Sequence, residues 1–293
     1  MEYRNAGRTG IELSALGFGA GHIGASESSE NEIFGLLGYL LDQGVTFWDT
    51  ARGYGLSEER IGTFLQGQRQ KVVLCTKVGY GVEGVPDWTY DCVVRGVERA
   101  LAVLKTDYLD IVLLHSCPVA TLERYDVVQA LLNVKQRGLV RAIGYSGDNE
   151  DLAFALRLTD LDVFEGSLNI FDQVKAPLLS RLKAEGRGFI AKRPLGNAPW
   201  RFSQRPVGNY AETYWERMIT MGLLNEQDFQ RGNSALRFAA FTPGVTSAIA
   251  GTGQRIHLDE LLAWMNEGPL SAPLYDHYRE VFLAHGSDWR SEV

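Results

Sequence analysis

The sequence predicts an α/β protein, a (β/α)8 TIM barrel with an N-terminal β-hairpin cap and a long loop after the seventh barrel strand. Short apolar runs of strand length alternate eight times with stretches whose apolar residues recur at helical spacing. Polar side chains with useful chemistry stand at the ends of several runs, where a parallel barrel would gather them around one mouth. A doubly wound open sheet is the alternative that this pattern leaves open.

The predicted elements follow in a regular order. Residues 1–16 alternate around a Gly-Arg-Thr-Gly turn and predict a two-stranded hairpin outside the main core. The runs typical of strands are residues 16–19, 45–48, 72–76, 109–114, 142–145, 163–168, 188–191 and 245–250. The helical patterns lie near residues 29–40, 57–65, 89–105, 121–137, 149–158, 175–185, 232–241 and 256–266.

One connection breaks this rhythm. Residues 194–231 form a long insertion between the seventh strand and its helix. Long loops in compact domains are usually functional lids or disordered segments. The insertion is rich in aromatic residues, and its composition therefore favours a lid or a wall of a substrate site: Trp200, Phe202, Tyr210, Tyr214 and Trp215.

Composition indicates an ordinary globular protein. The chain has 293 residues, of which 45% are hydrophobic and 22% charged, and no linker or low-complexity segment divides it. We therefore expect residues 1–293 to form a single domain, since barrels of this kind reach that length as one unit. A net charge of −7 argues against nucleic acid or an anionic membrane as the main partner.

Other absences narrow the class further. No run approaches the ~18 apolar residues of a membrane span, and the N-terminus has no apolar signal core. Three cysteines without a C-x-x-C pair favour a reducing, cytoplasmic setting. The five histidines lack the spacing of metal ligands, so we expect no metal site. The oligomeric state stays open.

Four residues form the candidate catalytic set. Asp49, Lys77 and His115 each end an apolar run, and Tyr54 follows in a glycine-flanked turn. A free tyrosine titrates near pH ~10, and a neighbouring ammonium lowers that pKa by stabilising the phenolate. Lys77 can supply the ammonium, Asp49 can hold it by an ion pair, and His115 can orient a substrate oxygen. This chemistry suits protonation of the alkoxide that forms when a carbonyl is reduced.

With these residues in view, the sequence resembles the aldo-keto reductases. The resemblance runs from residue 7 to about residue 262, and its motifs are residues 48–51 with 54–55, 76–77, and 107–115. It implies a barrel that holds extended NADPH or NADH across its C-terminal mouth and catalyses reversible carbonyl reduction. By the resemblance Tyr54 is the general acid, tuned by Lys77 and Asp49. His115 helps to bind the carbonyl oxygen.

By the resemblance, this sequence matches some of the family's cofactor contacts and departs from others. Residues 19–24 match G-x-G-x-x-G, but no helix opens on the third glycine, as a Rossmann motif requires. We interpret this stretch as the loop after the first strand, which brings Gly19 and Ala20 to the nicotinamide. At the amide of that ring Ser146 matches the family and Gly147 does not. Asn169 also matches.

Two further positions depart from the family. Glu165 stands where a glutamine is usual, and Lys192 stands where an aromatic residue often stacks on the nicotinamide. A half-buried charge is costly without a partner, so we expect Glu165 and Lys192 to form an ion pair. Arg193 is a candidate for the pyrophosphate. The turn that matches the family's pyrophosphate contact is Pro194, Leu195 and Gly196.

The adenosine end is predicted at residues 250–261. Gly251, Thr252 and Gly253 can offer backbone and hydroxyl donors at a helix N-terminus, which favours anions. Arg255 is the candidate partner of a 2′-phosphate. His257 replaces a common Arg or Gln, and Leu261 replaces an asparagine. NADP(H) is therefore the first choice, with NAD(H) possible.

Three functions remain in competition. The first is an oxidoreductase that acts on an aldehyde, a ketone or a sugar, with Trp88, Trp200 and Trp215 as candidate substrate contacts. The second is a non-catalytic, nicotinamide-sensing partner subunit on the same barrel. The third is a barrel enzyme that uses Lys77 as a Schiff-base nucleophile, which would need a partly neutral amine.

Overall fold

The fold is a closed barrel of eight parallel strands, as the sequence predicts. In this computed structural model, which describes residues 1–286 and 288–292, a two-stranded antiparallel hairpin precedes the barrel. The hairpin strands are β1 (Tyr3–Asn5) and β2 (Glu12–Ser14). The barrel strands are β3 (Leu16–Gly19), β4 (Phe47–Asp49), β5 (Val73–Val78), β6 (Leu109–His115), β7 (Val140–Ser146), β8 (Val163–Ser167), β9 (Gly188–Lys192) and β10 (Ser247–Ala250).

Helices cover the outside of the barrel. They are α1 (Glu30–Asp42), α2 (Ser57–Phe64), α3 (Tyr90–Val103), α4 (Val119–Leu122), α5 (Asp126–Gln136), α6 (Asn149–Ala155), α7 (Ala176–Ala184), α8 (Glu212–Thr220), α9 (Gly232–Phe241), α10 (Arg255–Asn266) and α11 (Ala272–His285). The single helix expected over 121–137 is divided into α4 and α5, and Tyr125 between them has a positive φ of 64°. The strand order closes because β10 pairs with both β9 and β3, which excludes the open sheet.

The core has an inner part and an outer part. Alternate strand residues such as Phe47, Ile111 and Ile190 fill the inside of the barrel. Ile11 and Leu13 of the hairpin segment join this inner cluster, so the hairpin closes the N-terminal end of the barrel. The opposite strand faces pack against the helices, as expected for parallel strands buried on both sides.

The insertion is an ordered part of the structure. It contains α8 and forms a hydrophobic cluster of its own with α9 and the C-terminal helix α11, whose members include Phe171, Met218, Phe229 and Phe282. The C-terminal segment, residues 288–292, bonds the loops that follow β7, β8 and β9. The barrel therefore presents its C-terminal mouth between the insertion and the other strand-end loops.

Candidate active site at the barrel mouth

The structure brings the four predicted catalytic residues to one end of the barrel. Asp49 is the last residue of β4 and His115 the last of β6, while Lys77 lies near the end of β5 between them. Tyr54 follows β4 in a short turn. Its ring centre is 5.5 Å from the Lys77 Nζ and 6.2 Å from the ring centre of His115, which it meets edge-on.

Lys77 forms the centre of the site's electrostatics. Its Nζ lies 2.6 Å from both carboxylate oxygens of Asp49 and 3.5 Å from the Glu165 Oε2. Burial alone would lower the pKa of Lys77, but the two carboxylates outweigh burial and raise it well above its usual value. Lys77 is therefore a stable ammonium, which opposes a role as a Schiff-base nucleophile.

The two carboxylates respond differently to this shared cation. Burial and the nearby Glu165 raise the pKa of Asp49 to about 7, although Lys77 opposes the shift. The pKa of Glu165 is also pushed up by burial, but Lys77 and Lys192 outweigh burial and the net shift is downwards. One lysine thus serves two carboxylates, and Asp49 is the one that exchanges a proton near neutral pH.

Glu165 has one oxygen that the described residues leave without a hydrogen bond. Its Oε1 accepts a bond of 2.9 Å from the Ser146 hydroxyl, whereas its buried Oε2 accepts no hydrogen bond in the described part of the chain and has the Lys77 ammonium at 3.5 Å. A buried acceptor without a partner is costly. This oxygen is therefore suited to accept a hydrogen bond from a bound group, such as the amide of a nicotinamide.

Tyr54 is held by the loop after the first barrel strand. Residues 20–24, the predicted glycine-rich loop, form a 3-10 turn that packs on the backbone of Tyr54. A Cβ on Gly24 would lie 1.7 Å from the Tyr54 carbonyl oxygen, so this approach requires glycine. The stretch that resembles a dinucleotide motif thus positions the phenol of Tyr54.

The pKa of Tyr54 differs from the sequence-based expectation. The Lys77 ammonium lowers it, as predicted. Burial and the Asp49 and Glu165 carboxylates act in the opposite direction, and the net effect raises the pKa of Tyr54 to about 12. The phenol is consequently fully protonated at neutral pH, a form that can donate a proton.

His115 has a partner that the sequence analysis missed. The Tyr80 hydroxyl lies 2.8 Å from the His115 Nδ1, and the two rings stack with their centres 5.6 Å apart. Burial, followed by the Lys77 charge, lowers the pKa of His115 to about 4, so its ring is neutral near pH 7. Tyr80 stands between two glycines, as Tyr54 does, and this shared sequence context could have marked Tyr80 as a site residue.

A cavity of about 1010 Å³ opens beside these residues. It extends from Asp49 and Tyr54 to the start of α10, and insertion residues such as Trp200 and Tyr210 form one wall. Ten of the predicted cofactor contacts line it: Gly19, Asp49, Lys192, Arg193, Pro194, Leu195, Gly251, Thr252, Gly253 and His257. A cavity of this size and shape can hold a long ligand across the mouth.

Other predicted cofactor contacts lie behind this lining or beside it. Ala20, Ser146, Glu165 and Asn169 are buried. The Asn169 side chain donates to the Arg193 carbonyl at 3.0 Å and accepts from the Phe171 amide at 2.9 Å, so it shapes the loop after β9. Gly196 closes the same loop, since its amide donates to the Arg193 carbonyl.

The expected ion pair between Glu165 and Lys192 is wrong. In the ladder Lys192 stands opposite Ser167, two residues beyond Glu165. Lys192 instead pairs with the buried Asp148 at 2.9 Å, while Glu165 lies against Lys77. Asp148 comes from the loop after β7, a position with no distinguishing pattern in the sequence.

The predicted phosphate contacts have other partners in this structure. The Arg193 guanidinium donates to the Ser167 hydroxyl at 3.0 Å and to the Glu292 carbonyl at 2.5 Å. Arg255, the first residue of α10, lies with its guanidinium 4.0 Å from the ring centre of Tyr39 at the surface. Arg193 must therefore exchange its partners before it can bind a phosphate, whereas Arg255 is exposed to solvent.

The three candidate tryptophans occupy different positions relative to the cavity. Trp200 lines the cavity, in agreement with its predicted place in a substrate wall. Trp88 packs against the Tyr80 ring at 5.9 Å, and Trp215 donates from its indole to the Phe202 carbonyl inside the insertion. Of the three, Trp200 is thus the direct candidate for ligand contact.

One buried group has the composition of a metal site. Ligand atoms of Asp49, Cys75 and Glu165 lie within 4.8 Å of one another. The Lys77 ammonium, however, contacts Asp49 at 2.6 Å and already provides the positive charge there. The cluster is best described as the electrostatic surroundings of Lys77. Over residues 1–286 and 288–292, no helix has the length and apolar character needed to cross a bilayer.

Comparison with known proteins assigns the family. The family model described as Aldo/keto reductase family matches residues 15–281. L-galactose dehydrogenase of Arabidopsis thaliana is 30% identical over 211 residues, which are 67% of this chain and 66% of that protein. D-threo-aldose 1-dehydrogenase of a Pseudomonas species is 27% identical over 301 residues, which are 87% of this chain and 90% of that protein.

A solved structure agrees in fold. The holo form of the aldo-keto reductase AKR11C1 from Bacillus halodurans superposes with a TM-score of 0.85 and 22% identity, over 98% of this chain and 97% of that one. Likeness at this identity supports the barrel and leaves the activity to other observations. The family match over most of the chain, together with the residues gathered at the mouth, shows that this protein belongs to the aldo/keto reductase family of oxidoreductases.

Proposed function

We propose that this protein catalyses the reversible, NADP(H)-dependent reduction of an aldehyde or ketone, with Tyr54 as general acid and base. The observation that carries the proposal is the convergence of Tyr54, Lys77 and His115 beside one large cavity. A protonated phenol, a buried ammonium and a neutral imidazole are the groups that a carbonyl oxygen needs as it gains negative charge.

Each residue has a distinct part in this chemistry. A nicotinamide cofactor held by the residues around the cavity would supply the hydride for reduction and would accept it in oxidation. Tyr54 gives its hydroxyl proton to the developing alkoxide, and Lys77 stabilises the phenolate that remains. Asp49 holds Lys77 in place at 2.6 Å. His115 donates a hydrogen bond to the same oxygen without bringing a charge. In the oxidative direction the Tyr54 phenolate recovers the proton.

The residues around the cavity fit a nicotinamide cofactor. Glu165, whose Oε2 accepts no hydrogen bond from the described residues, and Ser146 lie behind the cavity lining and are proposed to hold the amide of the nicotinamide. The turn at 194–196 and the segment 251–253 before α10 line the cavity or border it, and suit the pyrophosphate and the adenosine half. Arg255 supports NADP(H) as the first choice because a guanidinium can pair with a 2′-phosphate. NAD(H) stays possible.

The substrate is proposed to be a small carbonyl compound or a sugar. Asn197, Trp200, Asn209 and Tyr210 of the insertion line the cavity and combine amide groups with aromatic faces. Such surfaces suit a polyhydroxylated ring. The names of the two dehydrogenase relatives, which refer to L-galactose and D-threo-aldose, support testing aldoses first. The three free, buried cysteines support a reducing compartment such as the cytoplasm.

The proposal is tested by cofactor titration and by turnover of one variant. Fluorescence titration with NADPH and NADH measures the two dissociation constants, and we expect NADPH to bind more tightly. Tyr54→Phe removes only the hydroxyl, so it should keep cofactor binding while turnover of a simple aromatic aldehyde and of aldoses falls by roughly 10²–10⁴. Tyr90→Phe, on the exposed start of α3, is the matched control.

Two results would contradict the proposal. If neither nucleotide binds, the departures at 165, 192, 257 and 261 have removed the cofactor site. If both bind but no carbonyl is reduced and no alcohol oxidised, the second hypothesis, a nicotinamide-sensing partner subunit, is favoured instead.

A further inference from the structure

Tyr80 has no role in the chemistry derived so far, yet it touches the active site. It lies two residues beyond the end of β5, and its hydroxyl is 2.8 Å from the His115 Nδ1. In the described residues that hydroxyl is the hydrogen-bond partner of His115, and the second ring nitrogen, Nε2, has none. The ring therefore has one nitrogen engaged by the protein and one available to a ligand.

The position of Tyr80 is fixed from its other side. The Trp88 ring packs on the Tyr80 ring with their centres 5.9 Å apart, and the Trp88 amide donates to the Gly79 carbonyl at 2.7 Å. Gly79 has a φ of 129°, and a Cβ there would lie 2.2 Å from the Trp88 ring. Only glycine permits this contact. Tyr80 is thus held between Trp88 and His115.

The direction of the hydrogen bond follows from the protonation states. Burial raises the pKa of Tyr80, so its phenol keeps its proton at neutral pH. His115, whose pKa is lowered to about 4 by burial, is neutral and carries one ring hydrogen. Between a neutral phenol and a neutral imidazole, the phenol is the stronger acid and the imidazole nitrogen the stronger base. Tyr80 therefore donates to Nδ1.

This direction decides what His115 can offer to a ligand. If Nδ1 accepts, the ring hydrogen is on Nε2, which can then donate to a substrate oxygen. In the opposite arrangement Nδ1 would donate to the phenol and Nε2 would be an acceptor. An acceptor would repel the carbonyl oxygen as negative charge develops on it.

We propose that Tyr80 is a positioning residue that fixes the tautomer of His115, with Nδ1 as acceptor and Nε2–H as the donor to the substrate oxygen. Trp88 contributes by holding the Tyr80 ring in place. This inference rests on the proposed function, because that function gives His115 an oxygen to bind. The tautomer itself, however, is a property of the free protein.

Nitrogen NMR tests the tautomer directly. The protein is labelled with ¹⁵N-histidine, and His115→Asn identifies the His115 signals among the five histidines. At pH 7 we expect Nδ1 to resonate as an unprotonated, pyridine-type nitrogen and Nε2 as a protonated, pyrrole-type nitrogen. In Tyr80→Phe the two shifts should move towards each other as the tautomers mix. A protonated Nδ1 in the wild type overturns the proposal. So does a Tyr80→Phe variant in which the ratio of the two His115 tautomers is the same as in the wild type.

Kinetics provide the second readout. Loss of one orienting hydrogen bond should lower kcat roughly tenfold in Tyr80→Phe, while the dissociation constant for NADPH stays the same. Tyr90→Phe should alter neither the spectrum nor kcat, since Tyr90 lies at the exposed start of α3. A rise in KM alone, with kcat unchanged, would show that Tyr80 only shapes the pocket and would contradict the proposal.

The two hypotheses fail in different ways. An inactive wild-type protein with the expected nitrogen shifts contradicts the proposed function and supports the tautomer. An active wild-type protein with Nδ1 protonated supports the proposed function and contradicts the tautomer. Because the wild-type spectrum alone can overturn the inference, the outcome does not depend on whether Tyr80→Phe folds.

Discussion

Two buried clusters of charged residues at the barrel mouth contain lysines and carboxylates in opposite ratios. In the first, which we call the mouth cluster, one lysine, Lys77, serves two carboxylates, Asp49 and Glu165. In the second, which we call the tail cluster, two lysines, Lys175 and Lys192, serve one carboxylate, Asp148, at 2.7 and 2.9 Å. All the carboxylates are almost fully buried.

The ratio decides which group can exchange a proton. Burial tends to raise the pKa of both aspartates. For Asp49, with a rival carboxylate nearby, the pKa rises to about 7. For Asp148 the two lysines and a hydrogen bond from the Ser167 amide outweigh burial, and the pKa is lowered. The mouth cluster is therefore adjustable near neutral pH, whereas the tail cluster is locked in its ionised form.

Access to ligand also differs. Asp49 lines the cavity beside Tyr54. Asp148 is buried, and its partners Lys175 and Ser167 bond residues 291 and 292. A buried ion pair is thus no sign of function by itself. The comparison suggests that the mouth cluster performs chemistry and that the tail cluster joins the loops after β7, β8 and β9. The following variants test this division.

Lys77→Met should have the largest effect on activity, and because it also leaves Asp49 and Glu165 without their shared cation, turnover is compared per folded molecule. The variant removes the ammonium that stabilises the Tyr54 phenolate, and we expect turnover to fall by roughly 10²–10⁴. Steady-state kinetics on an aldehyde measures the loss, and circular dichroism checks the fold. Lys71→Met at the exposed surface is the matched control. Turnover within a few-fold of wild type would place the chemistry elsewhere.

Lys175→Met should instead affect stability. It removes a charged hydrogen bond from Asp148, which keeps Lys192, and a partner of Ser291, so the free energy of unfolding should fall by about 2 to 3 kcal/mol. Denaturant unfolding measures this change, and turnover per folded molecule should be unaltered. If Lys175→Met keeps its stability and loses turnover, the division between the two clusters is wrong.

Glu165→Gln should change how stability depends on pH. In the wild type the raised pKa of Asp49 means that the folded state holds a proton which the unfolded state has released, so stability falls as pH rises from about 4 to about 7. Glutamine removes the rival charge and lowers the pKa of Asp49. The variant should therefore gain about 1 kcal/mol on the wild type across this window.

The measurement is a pair of unfolding curves at each pH. Since His115 titrates in both proteins, only the difference between the two curves is interpreted. Glu150→Gln, on the exposed side of α6, makes the same charge change at the surface and should give no such difference. Parallel pH profiles for wild type and Glu165→Gln would show that the two carboxylates do not compete.

Ser291→Ala should give the smallest effect. The hydroxyl donates to the Asp172 Oδ1 at 2.8 Å and accepts from Lys175, and its loss leaves both groups underbonded. We expect a loss of about 1 to 2 kcal/mol in the free energy of unfolding, without a change in kcat. Ser26→Ala, in an exposed loop, is the control. If Ser291→Ala is as stable as the wild type, the C-terminal segment 288–292 does not stabilise the tail cluster.

Much of the fold could be predicted because its signals are local. Each barrel strand is a short apolar run, and the helices repeat their apolar residues at helical spacing, as Val93 and Val97 of α3 do. The hairpin and the insertion were also predictable from turn residues and loop length. The division of α4 from α5 was not, because it depends on the backbone of one residue, Tyr125.

The candidate site was only partly predictable. Asp49, Lys77 and His115 could be recognised because strand ends in a barrel converge by topology. The partner of Lys192 could not, because the register, which the sequence does not show, places Lys192 opposite Ser167, two residues beyond Glu165. The net pKa of Tyr54 was also misjudged, since it sums burial and three charges from different strands.

The sequence by itself determined the barrel, the four residues at its mouth and the family to which they point, because periodicity and spacing are properties of the chain alone. The tertiary structure decided which charges share a partner and which residues the C-terminal segment 288–292 bonds. It also decided that Trp88 packs on Tyr80 and that Tyr80 bonds His115. Those outcomes depend on distances between segments far apart in sequence, and electrostatic and hydrogen-bond energies change steeply over a few ångströms.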